Sequence, residues 1–338
     1  MKIQTIVLVL AAVVAFPALA DLTNLSLSGT FEGWQSVGEQ GNPVGLKDGA
    51  MSFTGGFYGS TTATGVDGYF YVHWETSQSV RSVRWFGGMS YTRTLTAFDL
   101  WSLNDGFEAS STSPDAWKFL GTYSPASNDL YYRQVVLTEA VDTKAIKLSY
   151  TKQNQPLSVE FETYSRDMTP LNAGWNITVL SASPALNGGA GGAFDGLMGS
   201  SYGSANLVDQ TGFLELGLGG ERTFGAVQIY FREQGSHYSA PEEFKLWAWD
   251  DDDKDYTVLL ADVKGWGASA TVFSLDLPTD VTTTKVYLEV TKARVVGNYS
   301  GGSFGVHEIF FYESIVPEPA TMTLLALGGL SLLRRRRA

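Results

Sequence analysis

The chain has 338 residues, with 23 Lys and Arg against 35 Asp and Glu, a formal charge of −12 and no cysteine. That acidic balance argues against a nucleic-acid partner, and the missing thiols exclude a disulfide framework. Thirty-seven glycines, 13% aromatic residues and only 17% charged residues describe a turn-rich chain with much flat apolar surface.

Met1 to Ala20 reads as an export signal. Lys2 forms a short positive region, Ile6 to Phe16 an apolar stretch, and Ala18-Leu19-Ala20 a cleavage site, so the mature chain is expected to begin at Asp21. From there to about Ser314, apolar residues alternate over short stretches, and no long amphipathic helix is predicted. Strands are expected at Gly68–Trp74, Val83–Phe86, Ala145–Thr151, Phe213–Leu218, Ala226–Phe231, Glu243–Trp249, Lys285–Val290 and Ile309–Tyr312. Gly, Asn, Asp and Ser clusters separate them. Many short strands with turn signals between them predict an all-β sandwich or barrel.

The two halves match each other. Leu46-Lys47-Asp48-Gly49 corresponds to Ala193-Phe194-Asp195-Gly196, and Gly68 to Val72 corresponds to Gly212 to Leu216. Asp99-Leu100-Trp101 falls on Lys245-Leu246-Trp247, and Ile146 to Lys152 on Val286 to Lys292. Val159-Glu160-Phe161 falls on His307-Glu308-Ile309, always in the same order. The expected organisation is a signal peptide at 1–20, one sandwich at 21–166, a second at 167–315, and a C-terminal segment at 316–338.

In the second copy, AFDG at Ala193 to Gly196, FLELGLGG at Phe213 to Gly220, AVQIYF at Ala226 to Phe231 and the run from Lys285 to Tyr312 resemble a coagulation factor 5/8 C-terminal, or discoidin, domain. The first copy is more divergent, and its membership rests on the repeat. The resemblance implies two tandem jelly-roll β-sandwiches of galactose-binding-like type, which bind carbohydrate or surface ligands through loops at one end. In the second copy the ligand residues would be Arg232, His237, Tyr238, Trp266, Asn298 and Tyr299. In the first, Tyr91, Arg93 and Phe107 are the nearest counterparts. Similar domains hold a structural Ca2+, implying Asp195 and Glu308 as acidic ligands in the second copy and Asp48 and Glu160 in the first. Calcium takes ~6–8 oxygen ligands in flexible geometry; an Asp-Gly turn and a strand-end Glu also occur without any metal. Asp250 to Asp253 reads as a solvated turn.

No Gly-x-Ser-x-Gly elbow, His-Glu-x-x-His or phosphate loop is present, and the three histidines (His73, His237, His307) suggest no catalytic group. The chain is therefore expected to be non-catalytic and to bind carbohydrate or exopolysaccharide. A structural matrix protein without a small ligand is the alternative, and a polysaccharide hydrolase, which needs no local motif for its two carboxylates, is the third reading.

The C-terminus carries Pro317, Glu318 and Pro319, an apolar run from Ala320 to Leu333, then Arg334, Arg335, Arg336 and Arg337. This order closely resembles the PEP-CTERM sorting signal of bacterial proteins handled by an exosortase. As a helix the apolar run would reach about 21 Å at ~1.5 Å per residue, short of the roughly 30 Å hydrocarbon core. The arginines would stay cytoplasmic. The resemblance implies transient residence in the inner membrane as a short transmembrane helix, cleavage by an exosortase-type enzyme, and transfer to the cell surface or extracellular matrix. A permanent single-span anchor is the other reading of this run.

Overall fold

The structure is a computed structural model. It describes residues 22, 24–36, 40–47, 58–59, 63–87, 95–124, 132–154, 156–187, 189–195, 201–232, 239–267, 271–296 and 299–314. The export signal, the arginine-terminated tail, Asp48, Tyr91, Arg93, His237, Tyr238 and Asn298 lie outside these residues. Among the described residues no helix is long and apolar enough to cross a membrane; the helical segments are 3-10 turns of three to five residues.

Everything else of regular structure is strand, as the all-β expectation requires. The first half contains β1 (Thr30–Gln35), β2 (Gln40–Gly41), β3 (Tyr58–Gly59), β4 (Val66–Gly87), β5 (Phe98–Leu103), β6 (Trp117–Tyr123), β7 (Tyr132–Gln153) and β8 (Leu157–Tyr164). They form one eight-stranded sheet in the order β2-β3-β8-β4-β7-β5-β6, with β1 also on β4. The second half contains β9 (Thr178–Ala182), β10 (Ala185–Asn187), β11 (Tyr202–Ser204), β12 (Gly212–Phe231), β13 (Glu243–Asp250), β14 (Asp255–Val263), β15 (Val272–Lys292), a separate hairpin of β16 (Arg294–Val296) and β17 (Tyr299–Ser303), and β18 (Gly305–Tyr312). Its order, β10-β11-β18-β12-β15-β13-β14 with β9 on β12, repeats the first.

Each sheet folds over into two layers because two of its strands are long. Gly68–Trp74 and Val83–Phe86, expected as two strands, are the two ends of the 22-residue β4. Likewise Phe213–Leu218 and Ala226–Phe231 are the ends of the 20-residue β12. Exposed polar residues such as Glu75 and Thr76 mark the crossing, which is why sequence alternation breaks there. Register shifts between His73 and Gln78, and between Gly217 and Arg222, let the strand bend from one layer into the other. In β12 the bend uses Gly219, at φ +72, where an added Cβ would lie 2.6 Å from the Asn176 carbonyl oxygen.

The result in each half is a jelly-roll sandwich. An outer layer holds β1, the start of β4, the end of β7, β5 and β6, while an inner layer holds β3, β8, the end of β4 and the start of β7. Inward residues of the two layers fill one core. In the first half Phe70, Val72, Trp85, Leu100, Leu148 and Phe161 are fully buried, and the Trp85 indole N–H donates to Ser158 Oγ at 2.8 Å. In the second half Leu214, Ile229, Phe231, Phe244, Leu288 and Phe311 do the same work. Each such side chain contributes about 1.5–3 kcal/mol relative to exposure, which a chain without disulfides depends on.

The inner layers of the two halves pack against each other. A third buried cluster draws Phe86, Val159 and Tyr164 from the first half, Met168 from the connection, and Ala226, Tyr230, Phe310 and Tyr312 from the second. At its centre Arg84, wholly buried, donates to Gln134 Oε1 at 3.0 Å, Gln228 Oε1 at 2.5 Å, the Tyr230 hydroxyl at 2.6 Å and the Tyr312 hydroxyl. Its guanidinium lies 5.2–5.8 Å from the ring centroids of Tyr164, Tyr230, Phe310 and Tyr312. Glu162, also buried, stands 3.8 Å away and accepts from Tyr164 and Tyr230 at 2.9 and 2.8 Å. Burial opposes the charge on Arg84, but the oxygens of Tyr132, Tyr230, Tyr312 and Tyr164 more than offset it and hold its pKa high. Burial raises the Glu162 pKa, while Arg84 and the two tyrosine donors act against that rise.

Removing one partner leaves the other charge unpaired in a buried interface. Arg84→Met alone and Glu162→Leu alone should each destabilise the protein by about 3–5 kcal/mol in urea unfolding. The double variant should cost clearly less than the sum of the two.

Candidate functional site

Arg232 after β12, residues 264–267 after β14 and the end of β15 lie at one end of the second sandwich. Arg232 follows β12, and its backbone N–H donates to the Gly305 carbonyl at 2.8 Å. Trp266 follows β14, but its half-buried ring packs edge-on to Phe244 and Phe273, with centroids at 6.0 and 5.7 Å. The ring thus closes the open end of the core. Tyr299 lies in β17, with its side chain outside the described residues. Of the six expected contacts, Arg232 and Trp266 are brought to the same end of the sandwich. Sequence reasoning missed the ion cluster beside them. Lys292 Nζ lies 2.6 Å and Arg294 Nη1 3.3 Å from the Glu242 carboxylate, and the hydrogen bond from Lys292 holds the Glu242 carboxyl below its ordinary pKa.

Glu160 on β8 and Glu308 on β18 are fully buried at corresponding ladder positions, opposite Phe86 and Tyr230. Asp195 is exposed after the 3-10 turn Ala190–Ala193. It borders a cleft of about 610 Å³ between the halves, lined by Tyr132, Gln134, Asn172, Trp175, Phe194 and Phe310. Two of the cleft's amides, Asn172 and Gln134, already serve the fold. Asn172 bonds the Ile309 carbonyl at 3.0 Å and the Phe311 N–H at 3.2 Å, and Gln134 donates to the Met168 carbonyl at 2.5 Å. Among the described residues no group of three or more His, Asp or Glu side chains could hold a metal; a calcium site here would need backbone carbonyls for most of its oxygens.

The most open aromatic surface lies elsewhere, on the outer layer of the first half. Its outward positions form rows across five strands. One row runs Trp34, Tyr69, Ser149, Asp99 and Thr122. The next runs Glu32, Tyr71, Lys147, Trp101 and Phe119, and Trp117 lies in the row beyond. Trp34 and Phe119 are about half exposed and Tyr69 is 37% exposed. Trp34 and Tyr69 lie 6.0 Å apart at 31°, and Tyr69 and Tyr71 are stacked at 6.3 Å and 16°. Polar groups fill the gaps. The Tyr71 hydroxyl donates to Glu32 at 2.5 Å, the Trp101 indole N–H to Ser149 at 2.9 Å and Thr122 to Asp99 at 2.6 Å. Lys147 Nζ sits 4.0 Å from the Trp117 ring and 5.4 Å from the Trp101 ring. Half-buried between the indoles, its ammonium is pushed down to about 8 by desolvation.

The second half repeats this face with different chemistry. Phe213 and Tyr287 stack at 5.9 Å and 30°, and Tyr256 approaches Tyr287 at 5.2 Å and Trp249 at 5.1 Å. Lysines cover two of the indoles, Lys285 at 3.8 Å from Trp249 and Lys245 at 5.5 Å from Trp247. Tyr256 donates to Glu215 at 2.7 Å and Trp247 to Glu289 at 2.9 Å. The signal for both faces was present in strands such as GYFYVHW, where Tyr69, Tyr71 and His73 alternate with the core residues Phe70, Val72 and Trp74. Aromatic residues at both parities hid the outward set.

Residues 316–337 match the family model of the PEP-CTERM protein-sorting motif, in agreement with the expectation for the C-terminus. No curated protein is similar enough in sequence to match. Among solved structures the chain is similar to a fucolectin from striped bass (Morone saxatilis) serum, at 16% identity over 86% of this chain and 98% of that one, with a TM-score of 0.33. It is also similar to the CBM32-1 and CBM32-2 domains of ZmpB from Clostridium perfringens in complex with GalNAc, at 10% identity over 87% and 92% of the two chains, TM-score 0.34. A family 32 CBM of C. perfringens NanJ in complex with galactose is similar over 42% of this chain and 96% of that one, at 16% identity and TM-score 0.34.

The caged lysine gives a pH signature. Its folded pKa is depressed, so the penalty for its charge is full below about 8 and is relieved as pH rises toward the ordinary lysine value. Between pH 8 and 10, wild type should gain stability relative to Lys147→Met, read from urea midpoints at each pH.

Proposed function

We propose that this is an exported, non-catalytic protein that binds polysaccharide, and that the outer face of its first sandwich is a principal contact surface. The observation that supports this reading is the flat five-strand face on which exposed Trp34, Tyr69 and Phe119 alternate with Glu32, Lys147, Ser149 and Asp99. A sugar ring needs a flat apolar partner for its C–H face and fixed donors and acceptors for its hydroxyls, and both are interleaved here at strand spacing. The end-loop residues Arg232, His237, Tyr238, Asn298 and Tyr299 are a second contact region in this reading. The sorting motif supports export, handling by an exosortase-type enzyme after passage through the inner membrane, and final placement at the cell surface or in an extracellular matrix.

Calcium has a structural part in this proposal. Glu160 and Glu308 are buried carboxylates at matching positions of the closing strands of the two halves, and carboxylate oxygen is the kind of donor calcium takes. A calcium ion held by Glu308, with Asp195 and backbone carbonyls, would fasten the closing strand β18 to the loop before β11. Calcium should therefore raise the melting temperature over an EDTA-treated sample, and Glu308→Gln should abolish the rise in scanning calorimetry. An unchanged melting temperature in wild type removes calcium from the proposal.

Binding is tested by native affinity electrophoresis in gels containing galactomannan, mixed-linkage β-glucan or alginate. Wild type should be retarded in at least one. Trp34→Ala and Tyr69→Ala should each weaken that retardation about tenfold, the loss of one stacked ring at about 1.5 kcal/mol, with the melting temperature unchanged. Retardation in none of the gels would favour a structural matrix protein without a glycan ligand.

A further inference from the structure

Resting on that reading of the first face, we infer that the protein bridges two separate polysaccharide strands, one on each half. The inference follows from the order of layers. The inner layers meet through Arg84, Phe86 and Tyr164 on one side and Gln228, Tyr230 and Tyr312 on the other. The outer layer of each half is therefore on the far side of its own core, and the two aromatic faces look in opposite directions. Four stacked sheets have three gaps of ~10 Å between them, so roughly 30 Å of protein separates the faces. One extended glycan cannot lie on both faces without wrapping around the molecule; two strands can be held at once.

The occupant is argued from charge as well as shape. Lys147 is at the middle of the first face, between Tyr71 and Trp101. A two-fold pairing of this face with that of a second copy would set the two Lys147 ammonium groups against each other. A protein partner of another kind would need a contact core depleted of charge, and neither face has one. The first is centred on a lysine, and the second interleaves Glu215, Glu289, Lys245 and Lys285 with its rings. Rings separated by charged and polar groups suit a hydroxyl-rich chain, which stacks on the former and bonds to the latter.

The test uses the full chain and latex beads coated with galactomannan, mixed-linkage β-glucan or alginate. Wild type should be retained on at least one coating and should agglutinate those beads. Trp34→Ala/Tyr69→Ala, which disarms the first face, and Phe213→Ala/Tyr287→Ala, which disarms the second, should each stay bead-bound at about half the wild-type saturation. Neither should agglutinate. Because Phe213 and Tyr287 are partly buried, Lys245→Glu/Lys285→Glu provides a second disruption of that face, and circular dichroism verifies the fold of each variant. Agglutination that survives loss of either face overturns bridging while leaving the binding proposal intact. No retention on any coating overturns both. Polymer-free light scattering that shows dimers or filaments, abolished by Trp34→Ala/Tyr69→Ala, assigns the face to a second copy and overturns the inference.

Discussion

The structure depends on one buried cation. Arg84 is the point at which two sandwiches become a single four-layer body. It belongs to the first half, yet three of the four rings around it and two of its hydroxyl partners belong to the second. A guanidinium removed from water is costly unless its donors and its charge are both met, and here they are met only when the halves are together. The interface is therefore specific as well as apolar. Corresponding positions face each other across it, Arg84 on β4 and Gln228 on β12, Tyr164 on β8 and Tyr312 on β18. Two sandwiches of like topology meet here as a complementary pair, because the residues at matching positions differ.

The same asymmetry runs through the outer faces. Both halves place large rings at the outward positions of the same strands and set lysines over two indoles, Lys147 over Trp101 and Trp117 in the first, Lys245 and Lys285 over Trp247 and Trp249 in the second; the difference lies in the rings left uncovered. The first leaves Trp34, Tyr69 and Phe119 open. With no lysine lying over them, these rings leave apolar area in water that a purely structural surface would avoid. That cost is borne on a solvent-facing layer whose removal from the interface is fixed by the packing of the opposite layer. Position and chemistry are thus coupled: residues 82–87 of β4 hold the halves together, and residues 69–73 of the same strand build the face.

Much of the fold was legible in the sequence. The duplicated order of motifs, the alternating strands and the Asp250–Asp253 turn between β13 and β14 all correspond to features of the structure. The continuity of β4 and β12 was hidden, because the polar residues at each bend resemble the turn that would separate two strands. Trp266 stands in a loop and reads as a surface ring, but its neighbours Phe244 and Phe273 come from distant segments, and only tertiary packing reveals that it plugs the core. The open face was illegible for a related reason. Trp34, Tyr69, Lys147, Trp101 and Phe119 are scattered over five strands, and no local spacing unites them until the register of the sheet is known. Arg84 was missed because a lone arginine in an apolar run, VRSVRWF, gives no sign that its partners lie in the other half.

The layered order has a mechanical consequence. A load applied between the two outer faces runs perpendicular to all four sheets, so no hydrogen-bond ladder is sheared along its length. It is carried in series by two apolar cores and by the central layer around Arg84, where bonds are directional and short in range. The segment Ser165–Pro170 crosses that central layer as covalent chain, and its Arg166 is tied to Asp276 at 3.2 Å and to the Glu313 carbonyl. Separation of the halves under tension would stretch this tether and leave each sandwich closed. The molecule is arranged as a clasp with a built-in leash: it can open at one seam without unravelling, and the halves stay near enough to meet again.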